Sequence, residues 1–267
     1  PYSVNSPLWS DGAYKERHFA IPEHADSNFK IDLAKKNGRE FPNETVLIKS
    51  FALESTPGDI STRRWIETRF FTKQDNEWAG YSYRWNDEQT DAELVSASGL
   101  DQDYTVGDKT QTWHFPSRVE CMVCHARAAG FVLGLSTAQM NKEHDYGGTI
   151  EHQFRVLEQL DLLKKPADPS KLAKIVDPAD ETQSLEARAR SYLHANCAIC
   201  HINAGGGNAQ MDLEYTASIK KLNAIDVEPL HNKVGLHYPR LIAPCHPQCS
   251  VRHHRRSHLS PTHCQHP

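Results

Sequence analysis

The chain has 267 residues, 38% of them apolar and 24% charged, which excludes a disordered or fibrous protein and provides for one large or two modest cores. The longest apolar run, 128–135, has eight residues, against the roughly 20 a membrane helix needs, so no membrane span is expected. Net charge is −4 but uneven: residues 229–267 contain no Asp or Glu and carry +5, against −9 for the rest. Eight of the 16 histidines share that tail, which reads either as a solvated basic face or as a docking face for an acidic partner. No basic stripe interleaves with aromatics, so nucleic acid is not an expected partner. No charged-then-apolar leader follows Pro1, so any signal peptide is expected to be removed or to lie outside the sequence.

Residues 1–26 read as irregular, broken by Pro7, Gly12 and Pro22. From 44 to 115 the pattern becomes that of strands. Residues 45–53 are rich in β-branched and apolar side chains, and 65–72 and 78–85 alternate aromatic with polar residues. Turn clusters at 56–59 and 73–77 separate them, which predicts an antiparallel β-sandwich-like domain over 1–115. Its Trp and Tyr residues read as core rather than as sugar-stacking platforms. Residues 116–178 read as a first helical segment. Ser136 caps a short helix to Lys142, and a helix begins at Gly147-Gly148-Thr149 with Ile150, Phe154, Leu157 and Leu160 on one face. The proline-bearing stretch 165–178 is a connector. Residues 179–267 form a third segment, opening with Asp180 and Gln183 as a capping box before a helix that carries Leu185, Ala189 and Tyr192. The expected class is α+β, a β-sandwich-like domain followed by a mainly helical region.

The cysteines carry the chemistry. Four of the seven form Cys121-Met122-Val123-Cys124-His125 and Cys197-Ala198-Ile199-Cys200-His201. C-x-x-C-H is the attachment signature of c-type haem: two thiols add to the two vinyl groups, and the adjacent His lies under the ring, where it binds iron. A zinc ribbon spaces its pairs by roughly 15–20 residues, whereas 72 residues separate Cys124 from Cys197, and zinc gives no reason for the paired histidines. The sequence therefore predicts two c-type haems, held by Cys121, Cys124, Cys197 and Cys200, with His125 and His201 as proximal iron ligands. Such attachment implies a periplasmic or extracellular location. There disulfides are permitted, so Cys245 and Cys249 either close a small loop or remain surface thiols, and Cys264 is left over.

The distal ligands are less defined. His194, three residues before Cys197, cannot readily reach the far face of its own haem and is the leading candidate for the first iron, ahead of Met140, His144 and His152. His258 and His263 are candidates for the second iron. The Gly205-Gly206-Gly207-Asn208 loop lacks the Lys of a phosphate loop and reads as backbone passing close to a haem edge.

The chain also resembles a family of secreted bacterial dihaem c-type cytochromes, many fused to, or encoded near, a pyrroloquinoline-quinone-dependent sugar dehydrogenase propeller. The matching stretches are Asn5-Ser-Pro-Leu-Trp-Ser-Asp-Gly-Ala13, Gly80-Tyr-Ser-Tyr-Arg-Trp-Asn86, Thr90-Asp-Ala92, Pro116-Ser-Arg118, Ala129-Gly-Phe-Val-Leu-Gly-Leu135 and Arg188-Ala-Arg-Ser-Tyr-Leu-His-Ala-Asn196. The resemblance implies an electron carrier rather than an enzyme, with a redox partner protein such as that dehydrogenase or a terminal acceptor. The alternatives are a dihaem peroxidase-like enzyme, a dehydrogenase's cytochrome subunit, and a homopolymer (a filament) whose haems stack into a chain. One departure bears on the second iron: where the family pattern places a ligating Met, this chain has Cys264, and no Met follows Met211. That favours bis-His ligation, which lowers the potential relative to His/Met.

Overall fold

Five strands pair in sequence order into one antiparallel sheet: β1 (Tyr14–Ala20), β2 (Val46–Glu54), β3 (Arg63–Gln74), β4 (Glu77–Trp85) and β5 (Ala92–Leu94). The computed structural model describes residues 1–23, 29–34, 40–203, 205–230 and 240–242. The chain divides into two compact units, 1–223 and 224–267. In the second, Ile242 N–H donates to Ala224 O, and Arg240 pairs with Asp226 and Glu228.

The register places alternate residues of neighbouring strands on one face. Phe19, Leu47, Phe71 and Gly80 form one row across β1–β4, followed by Arg17, Lys49, Arg69 and Ser82, then by Lys15, Phe51, Glu67 and Arg84. Asp75 and Asn76, both with positive φ (49° and 66°), make the tight β3–β4 turn, a conformation that Asp and Asn tolerate better than most residues. The hairpin β6 (Leu100–Val106) and β7 (Lys109–Phe115) lies over one end of this face. Trp113 meets Phe51 edge-on at 5.5 Å, and its indole N–H donates to Glu67 at 2.9 Å. These residues share a core with Ala13, Leu53, Val95 and Phe115. At the other end, Leu47 and Phe71 pack with Tyr2, Phe41, Leu135, Met140 and Phe154 in a second core.

Two expectations are corrected here. The β region is one five-stranded sheet carrying a two-stranded hairpin, not a sandwich of strands from 44 onward. Its first strand, β1, falls in the stretch expected to be irregular. Lys15 and Arg17 occupy inward positions of β1, so the apolar alternation that marks a strand is broken by charge.

The second half is less helical than its pattern suggested. The described residues hold α1 (Arg118–Cys124), α2 (Thr137–Met140), α3 (Gln153–Gln159), α4 (Leu185–Asn196) and α5 (Ile219–Leu222), and only α4 exceeds two turns. Ser136 caps α2 as expected. Gly147 and Gly148 start no helix: with φ of 84° and 97° they turn the small hairpin β8 (Glu143–Asp145) and β9 (Ile150–His152). Ser184, not Asp180, caps α4 by accepting from Ala187 N–H; Asp180 is held in its own loop by Thr182.

The N-terminal segment ties the sheet to the helices. Ser3 exchanges bonds with the Gln153 amide, Ser6 with the Gln139 amide, and Ser6 Oγ donates to Ser191 O at 2.9 Å. Trp9 N–H donates to Asn196 at the end of α4. The Asn5-Ser6-Pro7 run is thus a structural strap.

Candidate functional site

The first C-x-x-C-H motif is built on α1. Ser117 and Glu120 close a reciprocal capping box at its start, which fixes where the helix begins. The helix lies against β4 because Gly80 has no side chain: a Cβ there would stand 2.8 Å from Cys121 Sγ and 2.9 Å from its Cβ. His125 ends the helix, its N–H donating to Cys121 O at 3.0 Å. Its ring tilts over Phe71 with centroids 4.2 Å apart.

His125 Nδ1 lies 2.6 Å from the Phe131 carbonyl. A carbonyl only accepts, so Nδ1 carries the proton and Nε2 keeps its lone pair. Phe131 presents that carbonyl from a left-handed backbone (φ 59°), a conformation costing about 1–2 kcal/mol for a residue with a Cβ. Burial holds the imidazole down at about 4, so it is neutral at neutral pH. A neutral, oriented imidazole with a free nitrogen is a prepared ligand.

A cavity of about 350 Å³ joins Cys121, Cys124 and His125 to His194, Ala195 and Ala198, where α4 approaches the second motif. His194 is largely buried, which lowers its pKa, and its Nδ1 accepts from Tyr215 N–H at 3.3 Å. The leading distal candidate and the first motif therefore line one cavity. Its sheet wall is Arg17, Lys49, Arg69, Phe71 and Gly80.

The second motif follows α4, whose C-cap is Cys197. His201 N–H donates to Cys197 O at 2.9 Å, and His201 Nδ1 faces Ala209 O at 3.4 Å. The glycine loop wraps the motif itself. A Cβ on Gly205 would stand 2.2 Å from Cys200 O, and one on Gly207 2.5 Å from His201 Nδ1. Leu213 N–H then donates to His201 O, closing the loop over the histidine. The four motif thiols are free. Burial raises Cys121, Cys124 and Cys197, and repulsion from Cys200 raises Cys124 further, which brings the two motifs within electrostatic reach.

Other candidates have structural tasks. Met140 is buried in the core beside Phe154 and Leu157. His152 caps α3, accepting from Phe154 N–H, and bonds Asn141 through Nε2. His144 stacks edge-on against Tyr146 at 4.7 Å and does not line the cavity. His258, His263, Cys245, Cys249 and Cys264 lie outside the described residues. Among the described residues no three His, Cys, Asp or Glu side chains converge as a metal site, and no helix is long and apolar enough to cross a membrane. What sequence reasoning missed is the sheet's share in the cavity: Arg17, Lys49 and Arg69 belong to no motif, and only strand register brings them together. Comparisons with family models, with curated proteins and with solved structures gave no match.

Proposed function

We propose that the chain is a dihaem c-type cytochrome that carries electrons to or from a redox partner outside the cytoplasm. The observation that carries this reading is the shared cavity, which sets a neutral, oriented His125 and two free thiols against His194 on the helix leading to a second identical motif. The residues fit the group. Gly80 clears room for α1, the motif thiols are unpaired, and His125 and His194 line one cavity, the two protein ligands that porphyrin iron needs. Haem supplies reversible one-electron exchange at iron.

The chain's own residues do the rest. Cys121 and Cys124, and Cys197 and Cys200, provide thioether anchors. His125 and His201 offer Nε2 to iron, each with Nδ1 directed at a backbone carbonyl. His194 would serve the first iron through Nε2, which requires its proton on Nδ1 in place of the bond that Nδ1 accepts from Tyr215 N–H. His258 and His263 remain the candidates for the second iron. A cytochrome c-like segment would then comprise α4, the second motif and the glycine loop. The partner would be a dehydrogenase of the quinone-dependent kind or a terminal acceptor, and assembly into a haem chain is compatible with the same sites.

The test is expression with a haem-attachment pathway, followed by mass spectrometry of the denatured chain. Two covalent haems and low-spin spectra are expected. One haem, none, or bound zinc would overturn the reading, and a fully occupied high-spin iron with peroxide turnover would replace it with the peroxidase alternative.

A further inference from the structure

Arg17, Lys49 and Arg69 stand directly opposite one another on β1, β2 and β3, in the row that faces the cavity. At ordinary strand spacing they span about 10 Å. Like charges paired across strands destabilise a sheet, so such a row calls for a counter-charge.

The chain provides one. Glu67 accepts two bonds from Arg69, at 2.7 and 2.8 Å, and its oxygens are further engaged by Ser82 and Trp113. Among the described residues, no carboxylate forms a hydrogen bond or ion pair with Arg17 or Lys49, though Glu67 lies within electrostatic reach of Lys49. Lys49 Nζ rests over the Phe51 ring at 4.8 Å, and Arg17 has only the phenols of Tyr2 and Tyr14 near it. The cavity's other carboxylates are committed elsewhere: Glu120 to the α1 cap and His114, and Glu214 beside His194. Three cations against one carboxylate leave the row two positive charges in excess. Burial, then Arg17, Arg69 and Lys15, push Lys49 well below its usual pKa, and Glu67 opposes them only in part.

Resting on the reading above, we propose that the Arg17–Lys49–Arg69 row is the anchor for the two propionate carboxylates of the haem at the first motif. The excess of two matches a dicarboxylate, and the row shares the cavity with Cys121, Cys124 and His125. It also lies on paired strands, so it would offer the two carboxylates a fixed set of cations.

The experiment uses the full-length haem-loaded protein. Lys49→Met and Arg17→Met are compared with Lys49→Arg and with Lys109→Met, an exposed cation on β7. Haem number is read by mass spectrometry and the two potentials by spectroelectrochemical titration, with a Cys121→Ala/Cys124→Ala protein identifying the second haem. Removing a cation beside the propionates disfavours the ferrous state, which carries one more electron, so Lys49→Met and Arg17→Met should each shift the first haem's reduction equilibrium about tenfold toward ferric, about 59 mV lower. Lys49→Arg and Lys109→Met should leave it in place, and the second haem should not move. Two haems attached with an unchanged first potential in both Met variants would overturn the propionate row while leaving the cytochrome reading intact. A wild-type chain without covalent haem would overturn both.

Discussion

Gly80→Ala is the sharpest test of how the first motif is positioned. In a strand interior, replacing Gly by Ala ordinarily stabilises by roughly 0.5–1 kcal/mol, because Gly loses more backbone freedom on folding. Here the new methyl would meet Cys121 Sγ at 2.8 Å and Cβ at 2.9 Å, and both contacts belong to a helix held at its N-terminus by the Ser117 cap. Overpacking of this kind costs about 1–3 kcal/mol. The two effects oppose each other, and the steric one is larger, so a net loss of about 1 kcal/mol is expected. For a unit of this size that lowers Tm by about 2–4 °C. Urea or thermal unfolding followed by fluorescence measures the loss, and mass spectrometry should show reduced haem attachment at the first motif with the second unaffected. A Gly80→Ala protein as stable as wild type, with both haems attached, would refute the argument that β4 sets the position of α1.

If the first motif carries haem as proposed, His194→Ala should convert it from low-spin to high-spin without removing it, which optical and EPR spectra detect; an unchanged spectrum places the ligand elsewhere. Glu67→Gln leaves Arg69 without its charge partner inside the sheet and should cost about 3–5 kcal/mol by denaturant titration. Gly207→Ala drives a methyl to 2.5 Å from His201 Nδ1 and should impair only the second haem, the mirror of Gly80→Ala. Backbone and side-chain bonds from Ser117, with His114 adjacent, depress Glu120 from 4.5 to about 2. A depressed carboxylate contributes stability above its unfolded pKa, so the α1 cap should hold at pH 5 and weaken as pH falls from 4.5 toward 2. In Glu120→Gln that part of the acid transition should vanish.

The parts legible in the sequence were those carried by local pattern. The two Cys-x-x-Cys-His runs, β2 to β4 with their β-branched and aromatic alternation, and the Ser136 cap all depend on neighbours a few residues apart. What escaped depended on register or on distant partners. Lys15 and Arg17 hid β1 because they place charge at inward positions, Arg17 against a cavity rather than a core. His152 and His144 looked like candidate ligands, yet one caps α3 and the other packs on Tyr146, and a single histidine carries no local sign of which task it has. Gln139 and Gln153 are buried to hold the N-terminal segment, a use of glutamine that no periodicity announces. The glycine loop was read as lying near a haem edge; its first contact is with Cys200 and His201 themselves.

The N-terminal strap has a consequence for the order of events during synthesis. Ser3, Ser6 and Trp9 find their partners 133 to 187 positions later in the chain, so they are secured only after most of this unit has been made. Contacts of such sequence separation form slowly, because a long loop must close before any bond rewards it. Gln139 and Gln153 can hold Ser6 and Ser3 first, and Ser191 and Asn196 complete the strap. Closure then follows the completion of α4, which leads directly into Cys197 and Cys200. The strap is thus completed only when the helix leading into the second motif has been made, long after the first motif.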